Sequence, residues 1–310
     1  MQVVTLSRSI AAAIALLALA APGLTAQDQP ALRSHPPTAG VLRICADPDN
    51  MPASNQKGEG YENKIAEFLA KEWNAKLEYA WWPVRRGFFS RALNGRYCDV
   101  ALTAPSGLDM AATTKPYYRA GYVAVYRKDS GLDLKTLDDP AWKKLRIGVN
   151  LLNSDAENTP PAMALSRHGV VGNLVGFTTF YSELNRPEDI VKAVVDKQVD
   201  VSIVWGPLAG YFAQRSPVPL VVQPLAEFDS VTGLPFAFNM SMAVRRREPE
   251  FRDSLEKVID RKRPELEAIL RQYAVPLLPI AAEAKSGEAK RTEAAPTGDK
   301  STRTGPTTGR

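Results

Sequence analysis

The stretch WWPVRRGF, residues 81–88, sets two tryptophans beside two arginines with a proline and a valine between them. Trp and Arg anchor macromolecular contacts, because they bury large rigid area and keep hydrogen-bond donors at its edge. Alternation through Leu77, Tyr79 and Trp81 sends Trp81 into a core and Trp82 outward, and Pro83 ends the strand. Arg85 and Arg86 then stand where a short helix starts, a poor place for cations beside the helix dipole, so they point to an anionic neighbour. A second group, DPDNMPASNQKGEGYE, gathers Asp47, Asp49, Glu59 and Glu62 near one strand end. Read as a calcium loop from Asp47, it puts Pro52 where glycine is needed and Gly58 where the bidentate glutamate belongs. The acids read instead as helix-start residues that complement a dipole. His35 and His168 are the two histidines, which builds neither a Ser-His triad nor a histidine-rich zinc site. No pair of carboxylates stands out by spacing for acid–base work, so no catalytic residue, metal site or cofactor is assigned and the reading is non-enzymatic.

The elements that must position these residues alternate. VLRICADP is a strand, GYENKIAEFLAKEW an amphipathic helix, AKLEYAWWP a half-buried strand and RGFFSRALNG a short helix closed by Gly95. CDVALTAP and GYVAVYRK add two strands. A second cycle runs from KLRIGV through the helix NTPPAMALSRHG, stopped by Gly169, to LVGFTTF, PEDIVKAVVDKQ and VDVSIVWGP. FNMSMAVRRR reads as a late strand, and EPEFRDSLEKVIDRKRPELEAILRQYAV as two helices. Such alternation predicts an α/β protein of two doubly wound lobes. Ligands gather at the carboxyl ends of such strands. DPDNMPASN, WWPVRRGF, TAPSGLDM, VNLLNSDAEN and WGPLAG are therefore the expected cleft loops.

The ends and the charge narrow the setting. Arg8 followed by the apolar run IAAAIALLALAA and the small residues near Ala26 predict a signal peptide over 1–26, hence export to a periplasm. That run is shorter than the roughly 20 residues of a membrane span. Residues 27–40 and 281–310 lack the apolar content to fold and are expected to be disordered. The formal charge is +5, of which one arginine lies in the first 26 residues and a surplus of two cations in 281–310. The remaining +2 is no nucleic-acid footprint. Cys45 and Cys98 would meet an oxidising compartment, and both a bridge between them and two free buried thiols stay open.

RICADPDNMPASNQKGEGYENKIAEFLA, WWPVRRGF, CDVALTAPSGLDMAATTKPYY and ILRQYAVPLLPI, in this order over residues 42–280, resemble the MxaJ/XoxJ family of quinoprotein-dehydrogenase-associated, periplasmic solute-binding-like proteins. The resemblance implies a bilobal type II periplasmic-binding-protein fold whose lobes are joined by hinge strands. Lobe 1 would take 41–126 plus 238–280, and lobe 2, with hinge segments, 127–237. It also implies a role in assembly or activation of a PQQ-dependent methanol or alcohol dehydrogenase, using calcium or a lanthanide, with that enzyme's cytochrome c as a further candidate partner. Amino-acid binders of the wider superfamily clamp the ligand carboxylate with an arginine after the strand matching CDVALTAP, and meet its ammonium with an aspartate at the mouth of the strand matching VDVSIVW. Here SGLDMAATTKPYY holds no arginine, and the second position is Trp205. Burying two unpaired ionic ends costs several kcal/mol each, which disfavours an amino-acid ligand. The working surface expected from this pattern is Asn50 and Asn55 for hydrogen bonds, Trp82, Arg85 and Arg86 as anchors, Tyr117 and Tyr118 as cleft wall, and Trp205 as the apolar replacement for a charge. The alternative is a receptor that delivers a small apolar or aromatic solute to an ABC importer.

Overall fold

The computed structural model describes residues 40–84, 87–151 and 158–282. The predicted signal peptide, nearly all of the leader, Arg85, Arg86 and the tail from residue 283 lie outside the described residues. In the first half β1 (Val41–Ala46) lies between β4 (Lys76–Trp81) and β5 (Val100–Pro105), all parallel. β2 (Asp49–Asn50) and β3 (Ser54–Asn55) form a small hairpin ahead of α1 (Tyr61–Glu72). β6 (Ala112–Thr113) precedes β7 (Tyr118–Arg127), the long strand that enters the second half. There β8 (Ile147–Leu151), α2 (Pro160–Arg167), β9 (Leu174–Thr178), α3 (Asp189–Val195), β10 (Val201–Trp205), α4 (Gly206–Gln214) and β11 (Leu220–Pro224) follow. β12 (Ala237–Val244) returns to the first half, and α5 (Pro249–Gln272) closes it.

β7 belongs to both halves. Tyr118–Gly121 pairs antiparallel with β12, whereas Tyr122–Tyr126 pairs with β10, and β11 lies on the other edge of that second stretch. Predicted parallel βαβ units are present in β4-β1-β5 and β10-β8-β9, and the antiparallel β7 and β12 join them.

Each half has its own core. In the first, Leu42 and Ile44 of β1 and Leu102 of β5 meet Ile65 and Leu69 of α1, all fully buried. Phe251, Leu255, Val258 and Ile259 give α5 an apolar face at helical spacing, continued by Leu266 and Leu270. Sequence reading predicts two helices here, and α5 is two helical runs that meet at a kink at Lys262, where the backbone leaves the helical region because Pro264 lacks a donor N–H and its ring crowds the preceding turn. In the second half Trp142, Ile147, Leu165 and Ile203 pack on one sheet face, with Ile190, Val204 and Leu208 on the other.

The short helix expected after WWPV is a π-helical turn, Phe88–Leu93, and the left-handed residue beyond it is Arg96, not Gly95. Gly95 is required for a different reason: a methyl there would lie 2.0 Å from the Arg91 carbonyl oxygen. His168 caps α2 as expected at a helix end, and its Nε2 lies 2.7 Å from Asp229.

Cys45 and Cys98 are bridged, with Cα atoms 5.2 Å apart. The register alone leaves this open, because Cys45 pairs with Ala101 and Cys98 precedes β5. The buried Arg245 guanidinium draws the turn in: it donates to the carbonyls of Leu93 and Cys98 and holds Asp99 at 2.9 Å. Because the bridge closes a separation of 53 residues, replacing both cysteines by alanine should lower the unfolding free energy by about 2–5 kcal/mol in urea melts. Wild type and variant should converge under a reductant, and a variant as stable as the oxidised wild type would contradict this.

Candidate functional site

The hairpin after β1 is tied down through side chains. Ser54 donates its hydroxyl to the Asp47 carbonyl at 2.8 Å and accepts the Asp47 N–H at 3.1 Å. Asn63 of α1 accepts N–H groups from Asn55 and Gly60, at 3.1 and 3.0 Å. Gly60 is obligatory where α1 begins, since a methyl there would lie 2.1 Å from the Ala53 carbonyl oxygen. The Asp47 carboxylate accepts the N–H of Asp49 at 3.0 Å and that of Val84 at 2.6 Å. One acid therefore fixes both the hairpin and the segment after β4.

These anchors shape a cavity of about 290 Å³ between the halves. Asp47, Asn50, Pro52, Ala53, Tyr61, Glu62, Val84 and Thr103 line it from the first half. Tyr122 of β7, Asn150, Thr159, Thr179, Tyr181, Trp205, Pro207 and Leu208 line it from the hinge and the second half. Trp205 meets Tyr122 edge to face, with ring centroids 5.4 Å apart. Among the described residues, those lining the cavity include two carboxylates and no Lys, Arg or His. Arg119, the arginine nearest in sequence to the expected clamp position, pairs with Glu227 at 2.8 Å and lines hollows elsewhere. No group of three or more His, Cys, Asp or Glu among the described residues is placed to hold a metal ion.

Asn50 and Trp205 line the cavity. Asn55 does not: its side chain donates to Glu59 at 2.7 Å and accepts the Glu59 N–H at 2.9 Å, closing its own loop. Tyr117 and Tyr118, expected as cleft wall, are 0% and 2% exposed in the first core, where β12 and α5 cover them. Tyr117 donates its hydroxyl to the Leu102 carbonyl at 2.9 Å. Trp81 and Trp82 are both half-buried, on separate apolar clusters: Trp81 stacks on Tyr79 at 4.6 Å, and Trp82 lies 5.8 Å from Tyr97 beside the disulfide cluster. Val84, two residues on, is the member of that stretch that reaches the cavity among the described residues.

Sequence reading missed Tyr122, Tyr181 and Glu62 as cleft residues. Glu62 sits in the first turn of α1, as a dipole-complementing acid should. Burial pushes its carboxyl up to about 7; the Thr103 hydroxyl favours the charged form, and the nearby Asp47 charge opposes it. Burial also raises Tyr181, with Asp47 and Tyr122 adding to the effect, so that tyrosine faces the acid from the opposite half. Because the folded chain holds the Glu62 proton up to about 7 while the unfolded chain releases it near 4.5, the folded state binds more protons across that window. This contribution to stability is therefore lost as pH rises through it. Glu62→Gln should flatten the fall in Tm between these pH values and raise Tm relative to wild type above them. Parallel Tm profiles for the two proteins would contradict the assignment.

No family model matches the chain. It is 28% identical over 287 residues to the protein MoxJ of Methylorubrum extorquens, covering 90% of this chain and 95% of that one. Among solved structures it resembles MxaJ from Methlophaga aminisulfidivorans, at 28% identity and a TM-score of 0.66, over 77% of this chain and all of that one. It is 37% identical to the periplasmic binding protein XoxJ from Methylobacterium extorquens, with a TM-score of 0.64, over 77% of this chain and 100% of that one. With that identity over the full length of a solved relative, a cleft between two α/β halves and a shared hinge strand, the chain belongs to the MxaJ/XoxJ family of periplasmic binding proteins and has their bilobal type II fold.

Proposed function

We propose that this protein is a non-catalytic periplasmic accessory factor that assists assembly or activation of a PQQ-dependent alcohol dehydrogenase by docking it at the inter-lobe cleft and rim. The observation that carries the reading is Trp205 against Tyr122 in the cavity wall, where a receptor for a zwitterion needs a charge. Family membership supplies the class of partner, and the predicted signal peptide supplies the compartment. Asn50 and Trp205 contribute from the cavity; Trp82, Arg85 and Arg86 contribute from the segment that Asp47 anchors at Val84. Docking there would hold the enzyme in the state able to accept its cofactor, because a partner that binds one conformer better shifts the population toward it.

The cavity also favours a second reading, since about 290 Å³ lined by the four aromatic residues Tyr61, Tyr122, Tyr181 and Trp205 suits a small apolar or aromatic solute. Affinity for the dehydrogenase purified from the same periplasm separates the two. Trp205→Ala should weaken binding ~30-fold, the effect of losing a hot-spot residue, and Arg86→Ala should slow association. Equal affinity for all three proteins would remove these residues from the interface, and no binding by wild type would contradict the accessory role. A solute at 100 times its Kd that stabilises the protein by about 2.7 kcal/mol, without any dehydrogenase complex, would favour the receptor.

A further inference from the structure

After α5 the chain does not stop at the first half. Tyr273 ends the helix, Ala274 adopts a left-handed conformation at φ +53°, and the segment to Ala282 runs without regular structure along both hinge strands. Leu278 donates its N–H to the Arg119 carbonyl of β7 at 2.9 Å. Asn239 of β12 makes a two-way pair with the backbone of Ala281, donating at 2.9 Å and accepting at 3.2 Å.

The same segment is packed against the second half. Gly206 and Gly210 of α4, one helical turn apart, face it with no room for side chains. A methyl on Gly210 would lie 1.9 Å from the Ala274 carbonyl oxygen, and one on Gly206 would lie 2.6 Å from the Gly121 carbonyl oxygen of β7 and 3.1 Å from the Pro276 ring. Tyr211 stacks on Tyr273, with centroids 5.7 Å apart and planes within 17°. Tyr273 in turn donates its hydroxyl to the Glu59 carbonyl at 2.5 Å and meets Tyr61 edge to face at 6.1 Å. A continuous line of contacts thus runs from α4, through the C-terminal segment, to the loop and helix start that line the cleft in the first half. The first turn of α4 carries Pro207 and Leu208 into the cavity wall next to Trp205.

We infer that residues 273–282 form a clamp across the hinge that holds the cleft at one width, with Gly206, Gly210, Tyr211 and Tyr273 as its positioning residues. Rotation of the halves about β7 and β12 must slide α4 over this segment. The Ala274 backbone at Gly210 and the Pro276 ring at Gly206, about 6 Å apart along the helix, resist that motion, because close-packed interfaces do not deform continuously. The cleft is then a preformed surface, not a jaw that closes on a ligand. This goes beyond the docking role and is independent of it, since it concerns the protein without a partner.

Spin labels at Lys57→Cys in the first half and Glu183→Cys in the second, both exposed, report the separation of the halves by double electron–electron resonance; the two native cysteines are paired. The otherwise unaltered chain should give one narrow distance distribution. Tyr211→Ala, at a half-buried site where folding should persist, should broaden it and add a longer component, and Gly210→Leu should do so more strongly. Tyr211→Phe, which keeps the stacked ring, should restore the narrow distribution. A broad or two-component distribution before any clamp substitution would overturn the inference. So would a folded Tyr211→Ala protein whose Tm falls while its distances stay unchanged.

Discussion

The continuity of β7 through both halves is the constraint on which the rest depends. A strand must satisfy its N–H and C=O groups along its whole length. Here it does so with β12 as far as Gly121, and with β10 and β11 from Tyr122 onward. The change of partners occurs between two adjacent residues, so both sheets are referred to one rigid backbone. Tyr122, the first residue beyond the change, projects into the cleft beside Trp205. Glycine at 121 follows from the same crowding, because a methyl there would lie 3.0 Å from the Phe236 carbonyl and 3.3 Å from Leu278.

From this frame the chemistry of the cleft follows. The hinge and the second half contribute three aromatic rings, a proline and a leucine; the first contributes two carboxylates, the Tyr61 ring and a tethered hairpin. Asp47 is occupied in holding the Asp49 and Val84 backbone, and Glu62 is desolvated enough to retain its proton toward neutral pH. The described residues that line the cavity include no Lys, Arg or His to pair with the carboxylate of a free amino acid. The cavity that results is lined by aromatic rings and hydrogen-bonding groups.

Much of the fold was legible because short apolar runs bounded by glycine, proline and asparagine alternate with helical spacing. β1, β5, β8 and β10 stand where VLRICA, VALTAP, RIGV and VSIVW placed them, and Trp205 reaches the cleft because it ends its strand. What failed depended on contacts distant in sequence. Tyr117 and Tyr118 looked like wall residues next to a loop, and only the return of β12 and the packing of α5 bury them. Asn55 looked free to bind, but Glu59 takes both ends of its amide. The disulfide turned on Arg245, which comes from the far side of the second half in sequence and gathers the turn around Cys98. Tyr181 carried no local signal, since its position beside Asp47 exists only once the halves face each other.

The central claim is that the cleft has exchanged the ion pairs of a zwitterion receptor for apolar and aromatic contact. Calorimetric titration of the purified, ligand-stripped protein with the free L-amino acids tests it most directly. The account predicts no saturable heat with any of them. Stoichiometric, micromolar or tighter binding of one amino acid, abolished by Trp205→Asp or by Tyr122→Ala, would contradict it.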